Sequence, residues 1–100
     1  MPLPARDHRI TLEEASALVK RYRAGTEEKA GAFPKSQLMD LLSQPGCEGM
    51  RVYYGRHEDG RPALVLVGID KTDNDMTGGI VEDLHFPCPP LCGDGNALNS

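Results

Sequence analysis

The stretch EDLHFPCPPLCG, residues 82–93, places His85, Cys88 and Cys92 close together, and a third thiol, Cys47, lies far upstream. Imidazole and thiolate are the ligands of structural zinc, so Cys47, His85, Cys88 and Cys92 can be written as a Cys3His site for zinc or iron. The spacing disfavours it. Structural zinc sites bring short-spaced thiol pairs, whereas Cys47 stands alone and two prolines separate Cys88 from Leu91 and Cys92. Trans prolines favour the polyproline conformation, whose rise puts the two α-carbons about 12 Å apart. A disulfide needs them within about 7 Å. Unless a cis bond or a turn intervenes, the same separation opposes both pairings. Buried, unpaired cysteines that pack are therefore the reading preferred here over metal or disulfide.

Other chemistry is weaker. From Asp73 the order Asp-x-Asp-x-Thr-Gly-x-Ile resembles the start of an EF-hand calcium loop, but the last position holds Leu84 in place of a bidentate acid, and no helical pattern flanks it. Asp and Asn are ordinary turn formers, so residues 70–83 read as a solvated connection. The crowded charges of Asp70, Asp73 and Asp75 are expected to be relieved by solvent. Cys47 with His57, or His57 with Asp59, can be paired on paper as catalysts. His57 and Asp59, however, fall in an expected hairpin turn, where nothing desolvates or orients them. Gly78-Gly79 alone makes no nucleotide site, and no catalytic residue is assigned.

These residues must be positioned by a small scaffold. A chain of 100 residues, 39% hydrophobic and 26% charged, is composed like an ordinary folded protein with one modest core, which disfavours a large enzyme cleft. The longest apolar run, residues 63–67, is far too short to span a membrane. The first ten residues hold two prolines and mixed charge without an apolar stretch, so no secretory signal is expected. The odd number of cysteines suits a reducing interior, and the cytoplasm is the expected compartment. Charge is uneven. Residues 1–35 carry seven Lys or Arg against five acids, and residues 36–100 carry four against ten, giving +2 and −6 within the total of −4. The acidic part argues against a nucleic-acid backbone as partner, because phosphate binding needs clustered cations.

Thr11 and Glu14 have the spacing of a capping box ahead of LEEASALVKRYRAG, where Leu12, Ala15, Leu18, Val19 and Tyr22 recur at helical spacing and Gly25 supplies a stop. A second, short helix is expected after Pro34, with Leu38, Leu41 and Leu42 inward and Pro45-Gly46 ending it. From Gly49 the period becomes two. MRVYYG, the turn dipeptide Asp59-Gly60 and ALVLVGID read as a hairpin, whose second strand, apolar on both sides of the pleat, should be central. IVEDLHF reads as a third strand.

The fold expected is α+β: two layers, with two N-terminal helices packed on one face of a three-stranded antiparallel meander and an irregular Pro/Cys-rich tail. It is expected to form a single domain over residues 1–100, with residues 1–10 flexible and residues 87–100 irregular. The expected core is Leu12, Ala15, Val19, Tyr22, Leu38, Leu41, Leu42, Val52, Leu64, Leu66 and Ile80. Either Val65 and Val67 or Leu64 and Leu66 are then left on a helix-free face.

At GCEGMRVYYG, PALVLVGID, NDM and PCPPLCG the chain resembles a family of small bacterial proteins of about this length, over residues 10–99. The resemblance implies a bacterial intracellular domain and carries no activity, ligand or catalytic residue with it. HFPCPPLCG is expected to be a rigid, extended clamp anchored by Phe86 and Leu91. With a strand edge bearing Arg51 and Tyr53, it points to a small adaptor or homo-oligomeric module that contacts a protein partner through Arg51, Tyr53, Phe86 and Leu91.

Overall fold

Thr11 opens the first helix as its spacing to Glu14 predicts. In the computed structural model, which describes residues 3–22 and 28–99, the Thr11 amide donates to Glu14 Oε1 and the Glu14 amide to Thr11 Oγ1, both at 3.0 Å. Helix α1 (Leu12–Tyr22) follows. The stop expected at Gly25 lies outside the described residues. Strand β1 (Ala30–Ala32) precedes helix α2 (Lys35–Leu42), whose N-terminal cap is Pro34. Strands β2 (Gly49–Arg56) and β3 (Pro62–Ile69) form the expected antiparallel hairpin. The His57 amide bonds the Arg61 carbonyl, and Gly60 takes the positive φ of 89° that closes the turn. Strands β4 (Val81–Glu82) and β5 (Phe86–Cys88) complete the order.

The α+β class holds, with antiparallel pairing throughout, but the strand plan differs from expectation in two places. The single third strand expected over residues 80–86 is divided. β4 pairs with β3 through Leu66↔Glu82 and Val67↔Val81, whereas β5 pairs with β1 in a separate two-stranded sheet. Leu84, between them, has φ of 60°, a left-handed conformation that a branched side chain rarely adopts and that ends extended structure. Its side chain is 76% exposed, so burial does not hold it in a strand. The second difference is at the tail. The Cys88-Pro89 and Pro89-Pro90 bonds are both cis, the Leu91 amide returns to the Pro87 carbonyl at 2.9 Å, and the Cys92 amide reaches the Pro90 carbonyl at 3.2 Å. Residues 88–92 therefore form a tight turn in place of the extended clamp.

The chain divides into two compact units, Met1–Ala5 with Phe33–His85 and Arg6–Ala32 with Phe86–Ser100. In the first unit β3 is the central strand, in the order β2-β3-β4, and helix α2 packs on it. Its core is Leu41, Ala63, Leu66, Val67 and Ile69. Because Leu66 and Val67 point to opposite faces and both are buried, neither face of β3 is bare, as its two-sided apolar pattern predicts. This overturns the expectation that Leu64 and Leu66, or Val65 and Val67, lie on an open face. Gln44 ties the end of α2 to the β3–β4 connection: its Nε2 donates to the Leu41 carbonyl and its Oε1 accepts the Ile80 amide, each at 2.8 Å. A Cβ at Gly79 would collide with that Oε1, so the clamp requires glycine there.

The expected core needs correction. Of its residues only Leu41 and Leu66 are buried; Ala15, Val19, Leu38 and Leu64 are half-buried, and Leu12, Tyr22, Leu42, Val52 and Ile80 are exposed. Helix α1 keeps no buried residue, and Leu12 is 60% exposed. Helical periodicity identifies the stripe that can be buried, but a second element has to arrive to bury it. The core residues missed, Ala63, Val67 and Ile69, all belong to the one strand covered on both sides.

Candidate functional site

The polar side chains that the fold draws together most closely are Arg51 and Tyr53 of β2 and Asp73 and Asp75 of the β3–β4 connection. Arg51 and Tyr53 alternate with Val52, so both lie on one face of the sheet, opposite Val67 and Val65. The connection comes to meet them because Asp75 bridges to Ile69 at the end of β3. Arg51 forks: Nη1 donates to Asp75 Oδ1 at 2.5 Å, and Nη2 to Asp73 Oδ1 at 2.6 Å. The Tyr53 hydroxyl donates to Asp75 Oδ2. A planar guanidinium with donors in a fixed geometry suits two carboxylates at once.

The acidic loop is built to hold this arrangement. Asp70 Oδ1 accepts from the Thr72 amide, the Thr72 hydroxyl and the Asn74 amide at 2.7–3.0 Å, and the Asp73 amide returns to the Asp70 carbonyl. Asp73 takes a positive φ of 67°, a conformation Asp tolerates better than most residues. The loop is ordered by its own hydrogen bonds. Solvent alone was expected to relieve its charge repulsion; in the structure Arg51 relieves it directly between Asp73 and Asp75.

The hydrogen bonds shift the titrations. The Tyr53 hydroxyl, and then Arg51, hold the Asp75 carboxyl below the usual carboxylate range. The Asp75 carboxylate raises the Tyr53 hydroxyl and the Arg51 guanidinium above theirs. Asp70 is lowered, first by the Thr72 hydroxyl and then by the amides of Asn74 and Thr72.

A pH dependence follows. The lowered Asp75 contributes stability above its unfolded value of about 3.9, and that contribution is lost as pH falls through the folded value. The raised Tyr53 contributes below about 10, and loses it as pH rises through the folded value. Tyr53→Phe removes the shared bond. Urea unfolding of wild type and variant is expected to differ most between these limits and to converge outside both. A difference that stays constant from acid to alkali would mean that the bond contributes nothing.

The thiols and His85 make none of these hydrogen bonds. Cys47 is a free thiol in the turn after α2 and donates to the Gly49 carbonyl at 3.2 Å. His85 is buried, with Phe33 tilted against it at 6.3 Å between ring centroids. Cys88 and Cys92 are joined by a disulfide, with α-carbons 4.7 Å apart. This corrects the preference for three unpaired cysteines: the turn across the two prolines brings together the thiols that an extended segment would hold apart. In the disulfide-bonded chain neither sulfur is a thiolate, so Cys47, His85, Cys88 and Cys92 do not form a four-ligand set in this state. Among the described residues no group of three or more His, Cys, Asp or Glu is gathered as a metal ion requires.

Of the residues expected at a contact, Arg51 and Tyr53 belong to the first unit and are tied to the acidic loop. Phe86 and Leu91 belong to the second and are 49% and 59% exposed. Sequence reasoning missed the other face of β2, where Met50, Val52 and Tyr54 are exposed and Tyr54 is 89% accessible. The signal was present in MRVYYG, whose alternation fills both faces with large side chains. No family model, curated protein or solved structure matches the chain. Among the described residues no helix is long and apolar enough to cross a membrane.

Proposed function

We propose that this chain is a small, non-catalytic protein-interaction module whose contact surface includes the outer edge of β2. The observation that carries the reading is Tyr54, a large aromatic residue 89% exposed on a strand with one edge unpaired among the described residues, flanked on its own face by the exposed Val52 and Met50. Tyrosine and methionine are enriched in protein interfaces, and an unpaired edge is a template for another strand. Arg51 and Tyr53 sit on the same strand with their polar ends engaged by Asp73 and Asp75, so they enter a contact already ordered. Phe86 and Leu91 supply apolar surface in the second unit. The reading places the chain in the bacterial cytoplasm, where Cys88 and Cys92 are open to reduction.

The test is sedimentation at several concentrations, of protein purified gently enough to retain partners, with Tyr54→Asp beside wild type. Because Tyr54 is so exposed, the variant is expected to keep its folding stability within about 0.5 kcal/mol. Wild type is expected to sediment as a larger species, with itself or with another protein, and the variant to lose that association. A wild type that is monomeric and alone, or a variant that associates equally well, would sink the reading.

A further inference from the structure

Sulfur gathers at one point of the central strand. Gly68 of β3 is buried, and Met50 of β2 lies opposite it across the ladder. Partners in an antiparallel pair stand about 4.5 to 5.5 Å apart and point their side chains to the same face, so Met50 shares the face that a Gly68 side chain would occupy. Met76 reaches that face from the other side of β3. The bridge between Ile69 and Asp75 sets Met76 level with Gly68, and the Met76 amide donates to the Gly68 carbonyl at 2.8 Å. Met50, Gly68 and Met76 thus form one row across the sheet. Cys47 stands over the same glycine. A Cβ placed on Gly68 would lie 3.0 Å from Cys47 Sγ and 3.3 Å from Met76 Sδ, so a thiol and a thioether converge on the one residue that leaves room for both.

Gln44 holds the two sulfurs in place. Its carbonyl accepts the Cys47 amide at 3.0 Å, and its Oε1 accepts the Ile80 amide beside Gly79, whose own amide donates to the Met76 carbonyl at 3.0 Å. The Gln44 Nε2 lies 3.2 Å from the same Cβ position, but an amide nitrogen is a donor and this one is given to the Leu41 carbonyl. It walls the site and adds no ligand. Cys47 and Met76 are half-buried and Met50 is exposed, so an ion can enter from the side of Met50.

We infer that Cys47, Met76 and Met50 form a binding site for a soft monovalent metal ion of the Cu(I) class. Thiolate and thioether are the donors that select such an ion, whereas calcium and magnesium take oxygen ligands and zinc sites add imidazole or further thiolates. The charges also match. On binding, the Cys47 S–H bond breaks, a sulfur–metal bond forms, and the proton now directed at the Gly49 carbonyl passes to solvent. Nothing is oxidised or reduced. Both thioethers are neutral, so one thiolate balances one monovalent cation and leaves no net charge in a half-buried place, where a divalent ion would leave one unpaired. The inference goes beyond the reading of β2 as a contact strand and does not depend on it; Met50 alone belongs to both.

Competition for Cu(I) against a colorimetric chelator tests it, in anaerobic buffer with ascorbate and with the intact mass confirming the Cys88–Cys92 bond. Of the three cysteines two are then bonded, which leaves Cys47 as the thiol that can bind. Wild type is expected to retain a single Cu(I), seen by native mass spectrometry, and to melt at a higher temperature with it than without. Cys47→Ser is expected to lose the ion. Met76→Leu and Met50→Leu nearly conserve volume, and melting of the metal-free variants checks that they fold. Each is expected to weaken Cu(I) binding by about tenfold or more, the scale on which even the surroundings of a metal site tune its affinity. Met39→Leu, at an exposed methionine of α2, is expected to change nothing. A wild type that yields all its Cu(I) to the chelator, or a Cys47→Ser variant that keeps it, would overturn the inference. Affinity unmoved by Met76→Leu reduces the site to a lone thiol and overturns it as well, and affinity unmoved by Met50→Leu removes Met50 from the ligand set.

Discussion

Leu41→Ala is expected to destabilise the first unit by about 2 to 5 kcal/mol, the range for emptying a fully buried leucine site. Leu41 is 0% exposed and is the only buried residue of α2, so the helix is held to β3 through this one side chain more than any other. The loss has two parts. The removed methyls return no burial energy, and the cavity left behind closes only as far as the sheet beneath can relax. Total stabilities of small domains are about 5 to 15 kcal/mol, so the variant stands to lose a large share. Leu42→Ala provides the comparison, because it makes the same change of helix propensity one position along at a residue 42% exposed. Urea denaturation is expected to show Leu41→Ala at least twice as costly. Equal losses would mean that α2 does not dock through Leu41.

Reducing the Cys88–Cys92 bond is expected to cost about 2 kcal/mol, because it releases a short loop whose closure entropy the unfolded chain has already lost. The effect should be local. Cys88 ends β5, which pairs with β1 through Ala30↔Cys88, Gly31↔Pro87 and Ala32↔Phe86, and the Cys88 carbonyl also accepts the Lys29 amide. That two-stranded sheet is too small to stand without help, and the covalent tie lies beside its end. Hydrogen exchange with and without dithiothreitol is expected to show faster exchange at the Lys29 amide and along β1 and β5. The β2–β3 hairpin, in the other unit, should keep its protection. Identical exchange and identical unfolding curves in both redox states would show that the bond stabilises neither strand.

Much of the local structure is legible in the sequence. The Thr11–Glu14 capping box, the helix after Pro34, the Asp59-Gly60 hairpin and the central place of residues 63–67 each arise from neighbours a few positions apart. Interactions over that distance form in much the same way wherever the segment ends up. Arg51 and Tyr53 could be named from residue type and from their place on an edge. Their attachment to Asp73 and Asp75 could not, because it depends on how the long connection after β3 folds back and bridges Asp75 to Ile69.

The sequence by itself determined the α+β class, the positions of both helices and the place of the hairpin turn, since periodicity, caps and turn residues act over a turn or a strand. Tertiary structure alone decided what is buried. Leu12 and Leu41 occupy equivalent stripes in two amphipathic helices, yet one is 60% exposed and the other fully enclosed, because burial depends on what arrives from elsewhere in the chain. It also decided the fate of the thiols. Pro89 and Pro90 permit either an extended or a turned segment, and which one forms is set by contacts with distant parts of the chain. The long-range pairing of β5 with β1 accompanies the turned form, and there Cys88 and Cys92 meet.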